Sequence, residues 1–162
     1  MIILDFKVDE RELALSLEER IEDEDETFFN TTMFVMPLRM RLNDLEIFET
    51  NEANPWSLGP VMDLASEGLA VIKDLKRKRK EEHLIIEGPG RFIFTMIDDE
   101  NVYIEFTGGY VTTVKYNDLL EAFERYSEKV RTFLKERVPQ INDHYYWGPW
   151  LRDEPGRQTY LG

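Results

Sequence analysis

Two histidines, His83 and His144, and 33 aspartates and glutamates are the groups in this 162-residue chain that could move a proton or hold a cation. Cysteine is absent, which removes thiol catalysis, a disulfide framework and cysteine-ligated zinc. A nucleophilic triad needs a histidine base beside an activated hydroxyl, and neither histidine lies in such a motif; no Gly-x-Ser-x-Gly occurs. His83 begins a strand pattern and His144 sits in an aromatic segment, so each reads as structural. Asp98-Asp99-Glu100-Asn101 is acidic but lacks the long spaced pattern of a calcium loop, and reads as a solvated hairpin tip. Gly88-Pro89-Gly90-Arg91 lacks the Walker spacing and its Lys-Ser/Thr pair, and reads as a turn. Paired carboxylates could do acid–base work, but so many acids produce accidental pairs. The expectation is a non-catalytic protein with no catalytic residue, no metal and no cofactor.

The charge points toward a partner instead. The net charge is −13, which argues against a nucleic-acid binder, since phosphate contacts need a basic surface. Residues 1–60 hold 15 acids and 5 bases, and residues 61–162 hold 18 acids and 15 bases. Such a surface keeps a protein soluble, and it can also steer in a basic partner over long range. The densest acidic stretches are Glu22-Asp23-Glu24-Asp25-Glu26 and Asp98-Asp99-Glu100, which become the candidate partner contacts. Asp143 to Trp150 is rich in aromatics. It is expected to fold back over an open end of the sheet or a helix; alternatively it is a partner surface, with Trp147 and Trp150 as secondary partner anchors or as the seam of a homodimer.

The elements that position these groups follow from periodicity. With 42% hydrophobic and 12% aromatic residues, the chain can build a core, and residues 1–162 read as a single domain. Ile2, Leu4, Phe6 and Val8 alternate as a strand. Asp5 and Lys7 break that run, which argues against a secretory signal, and no stretch reaches the roughly 18 apolar residues of a membrane span. The expected location is the cytoplasm.

Leu13, Leu17 and Ile21 predict a short helix over 11–21, followed by a loop through the five acids. Thr27–Leu42 reads as one half-buried strand, with Met36, Leu38, Met40 and Leu42 inward and Arg39 and Arg41 outward. Pro37 marks an edge or a bulge, and Asn43-Asp44 a tight turn into Leu45–Phe48. Residues 51–60 form a loop. Leu58, Val61, Met62, Ala65, Leu69 and Ile72 then give one helical stripe over 58–80. Its basic end, Lys76–Lys80, complements the helix dipole, or alternatively forms an anion or partner site that could engage the acidic loop of the same molecule.

A meander over 83–116 and a second helix over 117–138, with Asn117 as N-cap, complete the pattern. The tail is 139–162. The fold class is α+β, an antiparallel sheet of about six strands (hairpin, helix, meander, helix) with two main helices.

Four stretches together carry a resemblance: Leu38-Arg-Met-Arg-Leu-Asn-Asp, the helix opening Pro60-Val-Met-Asp-Leu-Ala, the Glu87-Gly-Pro-Gly turn, and Tyr146-Trp-Gly-Pro-Trp-Leu. Over residues 33–151 the chain resembles small bacterial proteins taken to be immunity proteins of polymorphic or contact-dependent toxins. The resemblance implies an acidic, cytoplasmic antitoxin that binds and blocks a basic toxin domain, often a nuclease. It transfers no functional residue. The alternative expectation is a protein-binding or self-associating scaffold module.

Overall fold

Alternation of apolar and polar residues builds two antiparallel sheets. The computed structural model describes residues 1–50, 54–85 and 88–153. In the first sheet, β1 (Ile2–Phe6) lies antiparallel to β2 (Val35–Leu42), with Ile2 opposite Leu42 and Phe6 opposite Leu38. The other edge of β2 is shared by β3 (Leu45–Glu46) and β4 (Ser57–Pro60). Met36, Leu38, Met40 and Leu42 are completely buried, as their period of two requires, while Arg39 on the opposite side pairs with Glu46 at 2.6 Å. Asn43 takes the positive φ of 56° that the tight turn needs.

The second sheet is a meander of β5 (Lys80–Leu84), β6 (Arg91–Met96), β7 (Asn101–Phe106) and β8 (Tyr110–Lys115), paired in that order. The two sheets share one core. Phe48, just after β3, packs its ring against Phe92 and Phe106 of the meander. Asn43 also donates its side-chain amide to Thr112 Oγ1 and the Thr113 carbonyl, both at 3.0 Å.

Two helical stretches cover this core. One runs as α3 (Val61–Asp63), a π-helical turn (Leu64–Gly68) and α4 (Leu69–Lys78). The other is α5 (Tyr116–Arg137), which buries Phe123, Tyr126, Val130, Phe133 and Leu134 as the stripe predicts. They run antiparallel, and hydroxyls of α5 fix the register. Tyr116 donates to the Ile72 carbonyl (2.9 Å), Tyr126 to Val61 (2.7 Å) and Ser127 to Ala65. Gly68 permits the close approach, since a Cβ there would sit 3.1 Å from the Phe123 ring. Phe6 meets Tyr126 and Phe133 edge-on, joining α5 to the first sheet. Edge-on ring pairs of this kind add about 0.5–1.5 kcal/mol beyond the area they bury.

Several expectations are corrected. The α+β class stands, and the expected sheet of about six strands is, among the described residues, eight strands in two antiparallel four-stranded sheets. Thr27–Leu42 is not one strand: Asp25 accepts from the Phe28 N–H and caps α2 (Glu26–Thr31), and only Val35–Leu42 is extended. The acidic run is no loop, for it holds a 3-10 turn (Ile21–Asp23) and the start of α2. The first helix, α1 (Glu10–Ser16), is capped by Asp9 and ends short of Ile21.

Pro37 lies on the central strand. Its carbonyl accepts from Lys7, beyond the end of β1, so its missing donor falls where that ladder is finishing. Residues 57–60 are a strand rather than loop, because β4 supplies the edge that β2 lacks. The long helix therefore starts at Val61, with Pro60 at its N-cap. Lys115, not Asn117, is the N-cap of α5, since the helix already begins at Tyr116, whose N–H donates to the Glu100 carbonyl at 2.8 Å. The loop expected at 51–53, the approach to the glycine turn at 86–87 and the end of the tail at 154–162 lie outside the described residues.

Candidate functional site

Strand β5 reads Lys-Glu-Glu-His-Leu, and its register places Glu81 opposite Phe94 and His83 opposite Phe92. Directly opposed residues share a face of the sheet, so β5 turns two polar side chains toward the buried side of the meander. Asp63, at the end of α3, stands within the otherwise apolar stripe Val61-Met62-Asp63-Leu64-Ala65. The two meet: His83 Nε2 lies 2.6 Å from Asp63 Oδ2, with side chains 6% and 2% exposed. An Asp–His pair held this far from water gains little stability over apolar residues of similar volume, because both groups lose their hydration. Its chemistry is that of an oriented imidazole: Asp63 fixes the ring and one nitrogen.

Glu67 follows Asp63 by one turn, across the π-helical turn. It touches solvent, yet the crowded protein surroundings raise its carboxyl above the usual range, and the nearby Asp63 raises it further while His83 acts in the opposite sense. π-Helical turns are frequent at functional sites, where the extra residue re-aims neighbouring side chains.

Glu67 and His83 line a groove of about 690 Å³ between the long helix, β5, α5 and the C-terminal segment. Ala65, Leu69 and Val71 contribute apolar lining, and Tyr146, Trp147 and Trp150 contribute aromatic rings. Eight carboxylates line the groove against three lysines and arginines. Most of those acids have internal partners. Asp74 pairs with Arg77 and Lys78, Glu81 with Lys78, Glu82 with Arg91, and Asp153 with Arg131. Glu26 accepts from the Tyr145 hydroxyl. Glu67, Glu124 and Glu128 have no ion pair among the described residues. Burial raises the Tyr146 phenol, and Glu67 and then Glu26 raise it further.

The expected contact residues fall elsewhere, with one exception. Glu22 and Asp23 sit on the 3-10 turn beside Arg20, Asp25 caps α2, and the Glu24 carbonyl accepts from His144. Of the eight acids, only Glu26 reaches the groove. Asp98 accepts from the backbone of Glu100 and Asn101 and from the Asn101 amide, which lowers its carboxyl; Asp99 pairs with Arg79 and Glu100 with Lys115. The two acidic stretches are not brought together. α2 packs on α3, whereas Asp99 reaches the residue just beyond α4, so a helix path of about 27 Å separates them. Trp147 and Trp150 are 2% and 4% exposed, packed edge-on against each other in α6 (Trp147–Leu151).

His144 holds that aromatic segment in place. Its Nδ1 accepts from the N–H groups of Tyr146 and Trp147 (3.1 and 3.0 Å), so Nε2 carries the proton and donates it to the Glu24 carbonyl (2.5 Å). A protonated ring would lose the Nδ1 acceptor. Burial lowers the His144 pKa below its ordinary 6.5, against smaller opposing effects of the Glu24 hydrogen bond, Glu26 and Asp25, while Tyr145 stacks on the ring.

The unfolded chain therefore binds a proton at this site at higher pH than the folded chain. The neutral ring contributes stability above about pH 6.5, and that stability is lost as pH falls toward the lowered folded value. The expected result is a wild-type midpoint in urea that drops between pH 7 and pH 5 more steeply than that of His144→Gln. Identical slopes for the two proteins would refute the assignment.

No protein-family model, curated protein or solved structure matches the chain. Among the described residues, no group of three or more His, Asp and Glu is arranged to hold a metal ion, and no helix is long and apolar enough to cross a membrane.

Proposed function

We propose that the protein binds and blocks a basic protein partner, with the acid-lined groove as the docking cleft, and that it serves in the cytoplasm as an immunity protein for a toxin domain of nuclease type. The observation that carries this reading is the excess of groove carboxylates, three of which have no ion pair among the described residues. Like charges held together in a concave surface repel one another, and a cationic partner relieves that repulsion while being drawn in quickly. A nuclease that grips phosphates presents such a cationic surface.

The test is a pull-down from the source cell at low and moderate salt, followed by binding measurements with the purified partner. One basic domain should be recovered, and salt should weaken its binding. The triple variant Glu67→Gln, Glu124→Gln, Glu128→Gln should lose at least about tenfold in affinity, roughly 1.4 kcal/mol. Neutralising Asp98, Asp99 and Glu100 should change little. Salt-independent binding, or binding lost only with the second variant, would remove the groove from the account.

The Asp63–His83 pair favours a second reading, a proton-transfer enzyme. A carboxylate-oriented imidazole in a concave site is what a general base requires. His83→Gln would abolish turnover under that reading and would weaken partner binding only in part under the first, since the groove carboxylates remain.

A further inference from the structure

We infer that the groove contains a subsite for one guanidinium group, presented as an arginine side chain, between Glu67, Glu128 and Tyr146, with His83 beneath. This rests on the reading of the groove as a docking cleft and names the chemistry it accepts. Three independent observations converge on it.

The first is uncompensated charge: Glu67, Glu124 and Glu128 line one concave surface with no ion pair among the described residues. The second is His83, a polar side chain only 6% exposed that lines the same groove. Its Nε2 is committed to Asp63, and its Nδ1 has no hydrogen-bond partner among the described residues. With the Nε2 proton on the Asp63 side, Nδ1 is an acceptor for a ligand N–H. The third is the aromatic wall, which already holds a guanidinium: Arg131 lies 4.6 Å over the Trp150 ring and donates Nε–H to the Trp150 carbonyl.

A planar guanidinium can bind a carboxylate through two parallel N–H bonds while its face lies on an aromatic ring. An ammonium is a compact, strongly hydrated point charge and uses neither feature. The apolar lining of Ala65, Leu69 and Val71 suits the methylene stem of an arginine. A groove built from carboxylates alone would accept either cation; the ring wall and the His83 acceptor distinguish them.

Calorimetric titration of the intact protein with tri-arginine and tri-lysine, which carry equal charge, tests the subsite. Tri-arginine should bind at least about fivefold more tightly, a difference of roughly 1 kcal/mol. Glu67→Gln should erase that preference, Asp99→Asn should preserve it, and Glu128→Gln serves as the second variant should Glu67→Gln fail to fold. Equal affinities for the two peptides would overturn the guanidinium subsite and leave the acidic cleft standing. No binding of either peptide would overturn both. A preference for arginine unaffected by either glutamine variant would overturn the placement of the subsite beside Glu67 and Glu128.

Discussion

His83→Ala should destabilise the protein by about 3–5 kcal/mol, because it removes the imidazole partner of a carboxylate that stays buried. The measurement is the urea midpoint at neutral pH, where a slope of about 1–3 kcal/mol per molar makes such a loss easy to read. The informative companion is the double variant Asp63→Leu, His83→Leu. Apolar side chains of similar volume need no hydration and no partner, so the double variant should recover most of the loss and approach the wild type. Its groove would then lack the oriented imidazole and, with it, the Nδ1 acceptor. A stable double variant that no longer discriminates arginine from lysine would place the pair's value in recognition. A double variant as unstable as His83→Ala would show that the pair is a structural keystone, with coupling beyond its own hydrogen bond.

Trp147→Ala should have an effect of similar size, about 3–5 kcal/mol, by deleting one of the largest fully buried side chains. Its ring meets Tyr146 at 4.8 Å and Trp150 at 5.3 Å, both edge-on, so the cavity would open inside the groove's own aromatic wall. Trp147→Phe keeps a ring there and should cost less. Limited proteolysis gives the spatial readout, with cleavage appearing first between residues 139 and 153. Gly148 leaves little slack, since a Cβ at that position would lie 2.5 Å from the Asn142 carbonyl oxygen, and the segment cannot shift freely to fill the void. Uniform cleavage along the chain would instead mean that this segment unfolds only with the rest of the molecule.

The parts of the fold written in local periodicity are readable from residue types. Phe92, Phe94 and Met96, then Val102, Ile104 and Phe106, alternate cleanly, and the meander follows them. The stripe of α5 is equally regular. The stretch from Glu26 to Thr31 is harder, because its apolar and β-branched content favours a strand while the capping carboxylate of Asp25 favours a helix, and the cap prevails. The split into two sheets depends on non-local pairing: β4 follows β3 in the chain but pairs with β2, and so closes the first sheet separately from the meander.

The groove is less legible still. Asp63 and His83 are 20 residues apart and meet only because β5 returns alongside the helix it follows. Two local signals do exist. Asp63 interrupts an apolar run, and Glu81, His83 and Ile85 occupy alternating positions where an inward face should be uniformly apolar. Asp63 and His83 are buried polar residues in hydrophobic patterns, which is where local rules give way at functional sites.

The π-helical turn at Leu64–Gly68 sets the phase of everything upstream of it. An α-helix advances about 100° per residue, so excising a single residue from this turn would let the helix run regularly and rotate Asp63 about a quarter-turn out of alignment with His83. The hydroxyls of Tyr126 and Ser127, which meet the carbonyls of Val61 and Ala65, are spaced for the longer path. The molecule thus keeps its proton-bearing pair in mesh through one surplus residue, as a gear train keeps its timing by one tooth. Insertions and deletions, more than substitutions, are the changes this site tolerates least.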